Sequence, residues 1–239
     1  ILAFGLRAMP LTYQSLWRDE TDALRFATQP LAQLVEMFRN PAQNGPLYFL
    51  ALRPWVQAAG ASEFALRLPS VLAGTLAVVL VYILVRRLLG VKAAAVTALL
   101  IAIAPYLVWY GQEAKMYALL TVLVPASLLA LEAVAQKGGV LRWALLYILT
   151  SLAFYTHLIA ALIVPVQMVW LLVLLSGRPL RRLAVALAYV ALLFVPYLPL
   201  LAWQPAYLLA APETGFAFVP LKNILQVLAV GFSLGIRPL

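Results

Sequence analysis

The chain has 239 residues, of which 65% are hydrophobic and 10% charged, and its mean hydropathy is +0.99. So apolar a composition excludes an ordinary soluble domain. The net charge of +9 does not mark a nucleic-acid binder, because eight of the seventeen cations sit in three short, acid-free linkers between apolar runs: Arg86, Arg87 and Lys92; Lys137 and Arg142; Arg178, Arg181 and Arg182. Short basic loops face the cytoplasm, so the basicity reports topology. There is no cysteine, which removes disulfides and thiolate metal sites from consideration.

Apolar runs of 18 or more residues recur, and about 20 such residues cross a bilayer as a helix. The predicted fold is therefore all-α, a polytopic transmembrane helix bundle forming one membrane domain. Residues 1–12 read as the end of a first spanning helix rather than a signal peptide, since no small-residue cleavage site follows. An external loop, 13–68, comes next. Apolar segments follow at 69–90, 93–110, 117–136, 141–157, 158–176 and 183–203, then a polar stretch, 204–220. A last apolar segment begins near Leu221, giving about seven spanning segments over 69–239. With its start at Ile1 and its apolar end at Leu239, the sequence is expected to be a fragment of a longer protein.

The loop 13–68 carries structure of its own. Leu31, Leu34, Val35 and Phe38 recur at i, i+3, i+4 and i+7, with Gln33, Glu36 and Arg39 on the other side, which predicts an amphipathic helix. Pro30 suits its first turn and Asn40-Pro41 ends it. Beyond the Asn44-Gly45 turn, 46–58 reads as a second, mostly apolar helix that Pro54 should kink. Neither is long enough to span, and both are predicted to lie in the membrane interface.

With the basic linkers placed inside, Asp19, Glu20, Asp22, Glu36, Glu63, Glu113 and Glu213 all fall outside, and Glu132 alone lies near the inner face. Acids weigh little in the positive-inside rule, so this segregation is an independent sign of an external functional face.

Three of the eight acids stand together in Trp17-Arg18-Asp19-Glu20-Thr21-Asp22, directly after the first apolar segment. Asp19 and Glu20 precede a helix predicted from about Thr21, where acids cap and complement the positive helix end. A carboxylate at that position also suits a general base at the membrane surface. Glu113 and Lys115 occupy the shortest external turn, either as a solvated pair or, for Lys115, as a cation offsetting a lipid phosphate. Tyr106, Trp109, Tyr110 and Tyr117 around them match an interfacial aromatic belt. His157, the only histidine, marks an external helix turn and cannot make a metal site alone. Ionisable groups within such apolar runs are costly and are functional suspects. Arg53 and Arg67 end interfacial helices, where they snorkel to headgroups; Arg67, before Leu68-Pro69, is also suited to grip a phosphate through bidentate hydrogen bonds.

In order along the chain, Trp17-Arg18-Asp19-Glu20, Asn44-Gly45-Pro46-Leu47-Tyr48-Phe49-Leu50, Ala65-Leu66-Arg67-Leu68-Pro69-Ser70, Gly111-Gln112-Glu113-Ala114-Lys115-Met116-Tyr117-Ala118-Leu119 and Tyr155-Thr156-His157 resemble the polytopic GT-C glycosyltransferases. The branch they resemble holds the protein O-mannosyltransferases and the lipid A aminoarabinose and galacturonic-acid transferases. The resemblance implies a polyprenyl-phosphate sugar donor, a hydroxyl acceptor on a lipid, glycan or protein, and inverting transfer on the extracytoplasmic face, in a bacterial inner membrane. By it, Asp19 is the general base, and Glu113, with Glu20, positions the acceptor or a cation. Arg67 and Lys115 stabilise the departing phosphate, and Tyr117, His157 and Asn44 line the substrate pocket. A divalent cation shared by Asp19 and Glu113 is compatible with their hard oxygens. One departure is plain: many relatives carry His or Lys before Pro-Pro where this chain has Asn44-Gly45-Pro46, which removes one cation from the phosphate site. Two other readings stand beside this one, a transporter of lipid-linked substrates and a non-catalytic binder of lipid-linked sugar. Against transport, no acid lies mid-helix, where transporters place ionisable groups.

Overall fold

The computed structural model describes residues 1–9, 11–37, 45–210 and 219–234. Every regular element among them is helical, so the chain folds as the all-α bundle its composition demands. The first three helices are short: α1 (Leu2–Ala8), α2 (Arg18–Thr28) and α3 (Leu31–Met37). α4 (Pro46–Ala59) runs through Pro54, and the long α5 (Glu63–Leu89) is followed by α6 (Val91–Ile103) and α7 (Pro105–Tyr110). The rest are α8 (Tyr117–Lys137), α9 (Val140–Thr156), a 3-10 turn (Leu158–Leu162), α10 (Ile163–Leu174), α11 (Pro179–Ala210) and α12 (Leu221–Ser233). Among the described residues, three helices are long and apolar enough to cross a membrane: Glu63–Leu89, Tyr117–Lys137 and Pro179–Leu200.

Several boundaries differ from the sequence reading, each for a local reason. α5 starts at Glu63 rather than at 69, because Ser62 caps it by accepting a hydrogen bond from the Ala65 N–H (3.2 Å). Pro69 therefore lies inside the helix and leaves the Ala65 carbonyl without its usual partner. The Trp55 indole N–H of α4 donates to that carbonyl at 2.7 Å. α2 starts at Arg18, so Asp19 and Glu20 stand in its first turn rather than ahead of it. The apolar run 93–110 is broken at Ala104-Pro105 into α6 and α7, and 158–176 opens with the 3-10 turn. α11 begins at Pro179 and its backbone stays helical to Ala210, into the stretch read as polar loop. The last turn expected of the first amphipathic helix, with Phe38 and Asn40-Pro41, lies outside the described residues.

Two cores organise the bundle. The larger lies between α8, α9, α10 and α11, around Leu131, Leu146, Phe154, Leu171 and Tyr189. Within it the Gln167 amide donates to Ser127 Oγ (3.0 Å) and Thr150 Oγ1 (3.0 Å), and its oxygen accepts from Tyr189 OH (2.9 Å). Buried side-chain hydrogen bonds of this kind hold membrane helices together where apolar burial gives no preference. The outer surfaces of the helices are apolar instead of polar, as with Leu72, Leu76 and Val79 of α5 and Val166, Val169 and Val173 of α10, the pattern expected against lipid.

The smaller core caps one end of the bundle. Ala23, Ala27, Leu34, Phe49, Leu52, Leu66, Ala114 and Met116 bring α2, α3, α4, the start of α5 and the 111–116 turn together. Phe26 and Phe49 meet edge to face at 5.2 Å. Gly45 is required at the entry to α4: its φ is +83°, and a Cβ there would sit 2.9 Å from Met116 Cε. Leu34 of the amphipathic α3 is buried in this cap, while Leu31 and Val35 are exposed. At the opposite end of α5, Arg87 pairs with the buried Glu132 of α8 (2.8 Å). Twenty residues of helix separate Arg67 from Arg87, about 30 Å at 1.5 Å per residue.

Arg7 of α1 is buried in the bundle. Its guanidinium donates to the carbonyls of Ala102 (3.2 Å) and Ile101 (3.4 Å), the last turn of α6. Pro105 has no N–H for Ile101, and the break at Ala104 takes away the partner of Ala102. Arg7 supplies both, so it makes the α6–α7 break affordable inside an apolar environment. Gly74 and Gly111 make room for it: a Cβ on either would come within 2.9 Å of Arg7 Nε.

Candidate active site

The cap end gathers the expected acids and cations around one buried ion pair. Glu20 is fully buried and Arg67 nearly so. Arg67 meets Glu20 as a fork, Nε to Oε1 at 2.8 Å and Nη2 to Oε2 at 2.6 Å. Its remaining N–H groups donate to the carbonyls of Leu11 (2.5 Å), Gln14 (2.8 Å) and Ser15 (3.2 Å). All five guanidinium donors are thus engaged, which leaves none for a phosphate in this arrangement. Arg67 also stands at the start of the second turn of α5 instead of ending an interfacial helix. Glu20 is equally committed: Oε1 also accepts from the Ala114 N–H (3.0 Å), and Oε2 lies 3.4 Å from the Trp17 N–H. One pair therefore ties the segment after α1, the start of α2, the start of α5 and the 111–116 turn.

Its neighbours in sequence present the reactive groups. Asp19, one residue before Glu20, pairs with Lys115 at 3.0 Å, one residue after Ala114. Asp19 is 40% exposed and Lys115 14%. Beyond Lys115, Tyr117 and His157 lie together with ring centroids 5.9 Å apart. His157 Nδ1 accepts from the Ile159 N–H (3.1 Å) and starts the 3-10 turn, which puts the proton of the neutral ring on Nε2.

On its other side the 111–116 turn borders a cavity of about 550 Å³ walled by α7 and the Glu20–Arg67 pair. Tyr106, Trp109, Tyr110, Gln112 and Glu113 line it with Leu11, Gln14 and Trp17. Tyr110 meets Tyr117 edge to face (4.8 Å), which joins the cavity wall to the Asp19–Lys115 side. Glu113 is buried, and its Oε2 finds no hydrogen-bond partner among the described residues. Burial raises its carboxyl to about 7, and the charges of Glu20 and Asp19 act in the same direction against the Trp109 hydrogen bond and Lys115. At neutral pH it can donate a hydrogen bond or accept one.

Of the expected site residues, the fold brings Asp19, Glu20, Arg67, Glu113, Lys115, Tyr117 and His157 to one end. Asn44 lies outside the described residues. Arg53, also expected to end a helix, sits within α4 and holds the end of α2 through the carbonyls of Ala27 (3.5 Å) and Gln29. Among the described residues no group of three His, Cys, Asp or Glu side chains gathers to hold a metal ion. Sequence reasoning missed Arg7 and the Gln167 network. A cation in the first apolar run and a Pro-broken helix were the signal for the first, and the glutamine within an apolar run for the second.

No curated protein and no solved structure matches the chain. The family model of the dolichyl-phosphate-mannose-protein mannosyltransferases matches residues 43–203. The matched stretch holds Arg67, Glu113, Lys115, Tyr117 and His157, and Asp19 and Glu20 stand outside it. Because the match covers more than half of the chain, this protein belongs to the dolichyl-phosphate-mannose-protein mannosyltransferase family, membrane glycosyltransferases of the GT-C type.

Proposed function

We propose that the protein transfers a sugar, with inversion, from a polyprenyl-phosphate donor to a hydroxyl acceptor at the extracytoplasmic membrane face. One observation carries the reading: a carboxylate, Asp19, and an ammonium, Lys115, are held against each other by the buried Glu20–Arg67 clamp. Asp19 accepts the proton of the acceptor hydroxyl as that oxygen bonds to the anomeric carbon. The bond from that carbon to the phosphate oxygen breaks, and its electron pair leaves with the polyprenyl phosphate. Lys115 neutralises the charge that grows on that phosphate, and a fixed cation partly shielded from water does this well. Glu113 faces the cavity and positions the acceptor by a hydrogen bond, and Tyr117 and His157 contact the sugar. Glu20 and Arg67 act through Asp19 and Lys115 as positioning residues.

The orientation rests on charge. The acid-bearing cap and the basic linkers Arg86–Lys92 and Lys137–Arg142 lie at opposite ends of α5 and α8, so the positive-inside rule puts the cap outside. On this reading the chain is one multi-pass membrane domain, with the end of a first spanning helix at 1–12 and about seven spanning segments over 69–239, and its resemblance to lipid A transferases points to a bacterial inner membrane.

The test uses the full-length protein in membranes with a panel of labelled polyprenyl-phosphate sugars, comparing wild type and Asp19→Asn at matched folded protein. Loss of a general base lowers turnover by about 10²–10⁴-fold. Wild-type turnover in the variant refutes Asp19 as base. Failure of the wild type to transfer any sugar, with flux of lipid-linked sugar across vesicles, refutes the enzyme reading in favour of transport.

A further inference from the structure

Lys115 is paired with the very carboxylate that the proposed reaction uses as its base. Arg67 cannot substitute for it at the phosphate, because its five donors are bound to Glu20 and to three backbone carbonyls. A phosphate and Asp19 therefore compete for one ammonium. We propose that the donor phosphate opens the Asp19–Lys115 pair, so that donor binding unmasks the base and precedes productive acceptor binding. This inference rests on Asp19 and Lys115 having the roles given above.

The geometry suits an exchange of partners. Asp19 is 40% exposed and Lys115 keeps 14% of its side chain accessible, so the pair opens without dismantling a core. The backbone on both sides is fixed by the Glu20 carboxylate, which holds the Ala114 N–H, and by Gln112, whose amide donates to the Leu6 carbonyl (2.8 Å). Only the two side chains have to move. The chemistry also gives the cycle a direction. The donor is a phosphodiester with one negative charge, whereas the released polyprenyl phosphate is a monoester that carries close to two at neutral pH. Lys115 therefore holds the product more firmly than the donor. Once the product leaves and the exposed Asp19 gives its proton to water, Lys115 returns to the carboxylate, closing the site against acceptor until the next donor arrives.

The experiment measures binding of undecaprenyl phosphate to the full-length protein in nanodiscs, for wild type, Asp19→Asn, Lys115→Met and the double variant, each checked for an intact thermal transition. Asp19→Ser is a second charge-removing variant in case Asp19→Asn misfolds. Removing Asp19 frees Lys115, so Kd should fall by about three- to fivefold, the value of a part-exposed ion pair. Removing Lys115 should raise Kd about 10-fold or more, the value of a charge-assisted hydrogen bond. In the Lys115→Met background, Asp19→Asn should bring no further tightening. An unchanged or weakened affinity in both Asp19 variants, with Lys115→Met still weakened, overturns the exchange but leaves Lys115 as the phosphate cation. Unchanged affinity in Lys115→Met, or no binding by the wild type, overturns the underlying assignment as well.

Discussion

Breaking the Glu20–Arg67 clamp has a calculable cost. Glu20→Gln preserves volume, yet it sets an amide NH₂ against one guanidinium nitrogen and leaves the Arg67 charge buried without its partner. Removing one member of a buried pair costs about 3–5 kcal/mol, a large part of the roughly 5–15 kcal/mol that holds a protein folded. At about 2–4 °C per kcal/mol for a chain of this size, Tm in detergent should drop by about 6 °C or more. Tryptophan fluorescence follows the transition, since Trp17 and Trp55 both lie in or beside the cap. The double replacement Glu20→Leu with Arg67→Met distinguishes this clamp from a simple ion pair. A simple pair replaced by apolar groups is often neutral or stabilising. Here the Leu11 carbonyl and the Ala114 N–H would stay buried without partners, at about 1–3 kcal/mol each, while the carbonyls of the exposed Gln14 and Ser15 would turn to water. The double variant should therefore remain well below wild type. A double variant that melts like wild type, or a Glu20→Gln protein with an unchanged Tm, refutes the backbone role assigned to the pair.

Glu113 gives a pH signature. Its carboxyl lies near 7 in the fold against an ordinary 4.5, so the folded state resists ionising it, and stability is lost as pH rises from about 4.5 to 7. The loss amounts to about 3 kcal/mol at 1.36 kcal/mol per pH unit. Glu113→Gln should flatten that part of the Tm–pH curve and exceed wild type above pH 7; an unaltered curve would place the carboxyl outside the buried cavity wall. Gly111→Ala puts a Cβ 2.8 Å from Arg7 Nε and 3.0 Å from the Leu107 carbonyl oxygen, overpacking that should cost about 1–3 kcal/mol. Gly74→Ala also meets the Arg7 side chain, at 2.9 and 3.1 Å, but its next contact is the Gly111 Cα at 3.5 Å, so without a backbone clash it should cost less. Equal melting temperatures for the two variants would count against this placement of Arg7.

The bundle was legible in the apolar runs, and the charged clusters that the fold gathers at one end were legible wherever charge interrupts those runs. Asp19-Glu20 and Glu113-Lys115 were legible because acids beside membrane helices are rare and their two clusters fall on one side of the topology. The division of labour within each cluster was not legible from residue type and came only from the family resemblance. Nothing in residue type separates Asp19 from Glu20, and what decides is that Glu20 points inward to Arg67 and Ala114 while Asp19 points outward to Lys115. The contacts of Arg67 were not legible because three of its acceptors are backbone carbonyls, which every residue owns and none advertises. Boundaries at α2 and α5 shifted by three to six residues because caps and proline-freed carbonyls are settled by partners distant in sequence, such as Trp55 for Ala65.

The Gln167 network bears on how the bundle is assembled as it is made. Ser127 can wait within its own helix, bonded to the Val124 carbonyl at 2.8 Å. When the segment carrying Gln167 enters the bilayer, both acceptors of its amide N–H groups, Ser127 and Thr150, are already there. Tyr189 arrives last and its hydroxyl closes the set on the remaining amide oxygen. The Gln167 N–H groups and the Tyr189 hydroxyl thus meet partners synthesised before them, and at no stage of insertion does the newly arrived amide donor depend on a helix yet to come. The order of the chain is itself a solution to keeping an amide out of bare hydrocarbon.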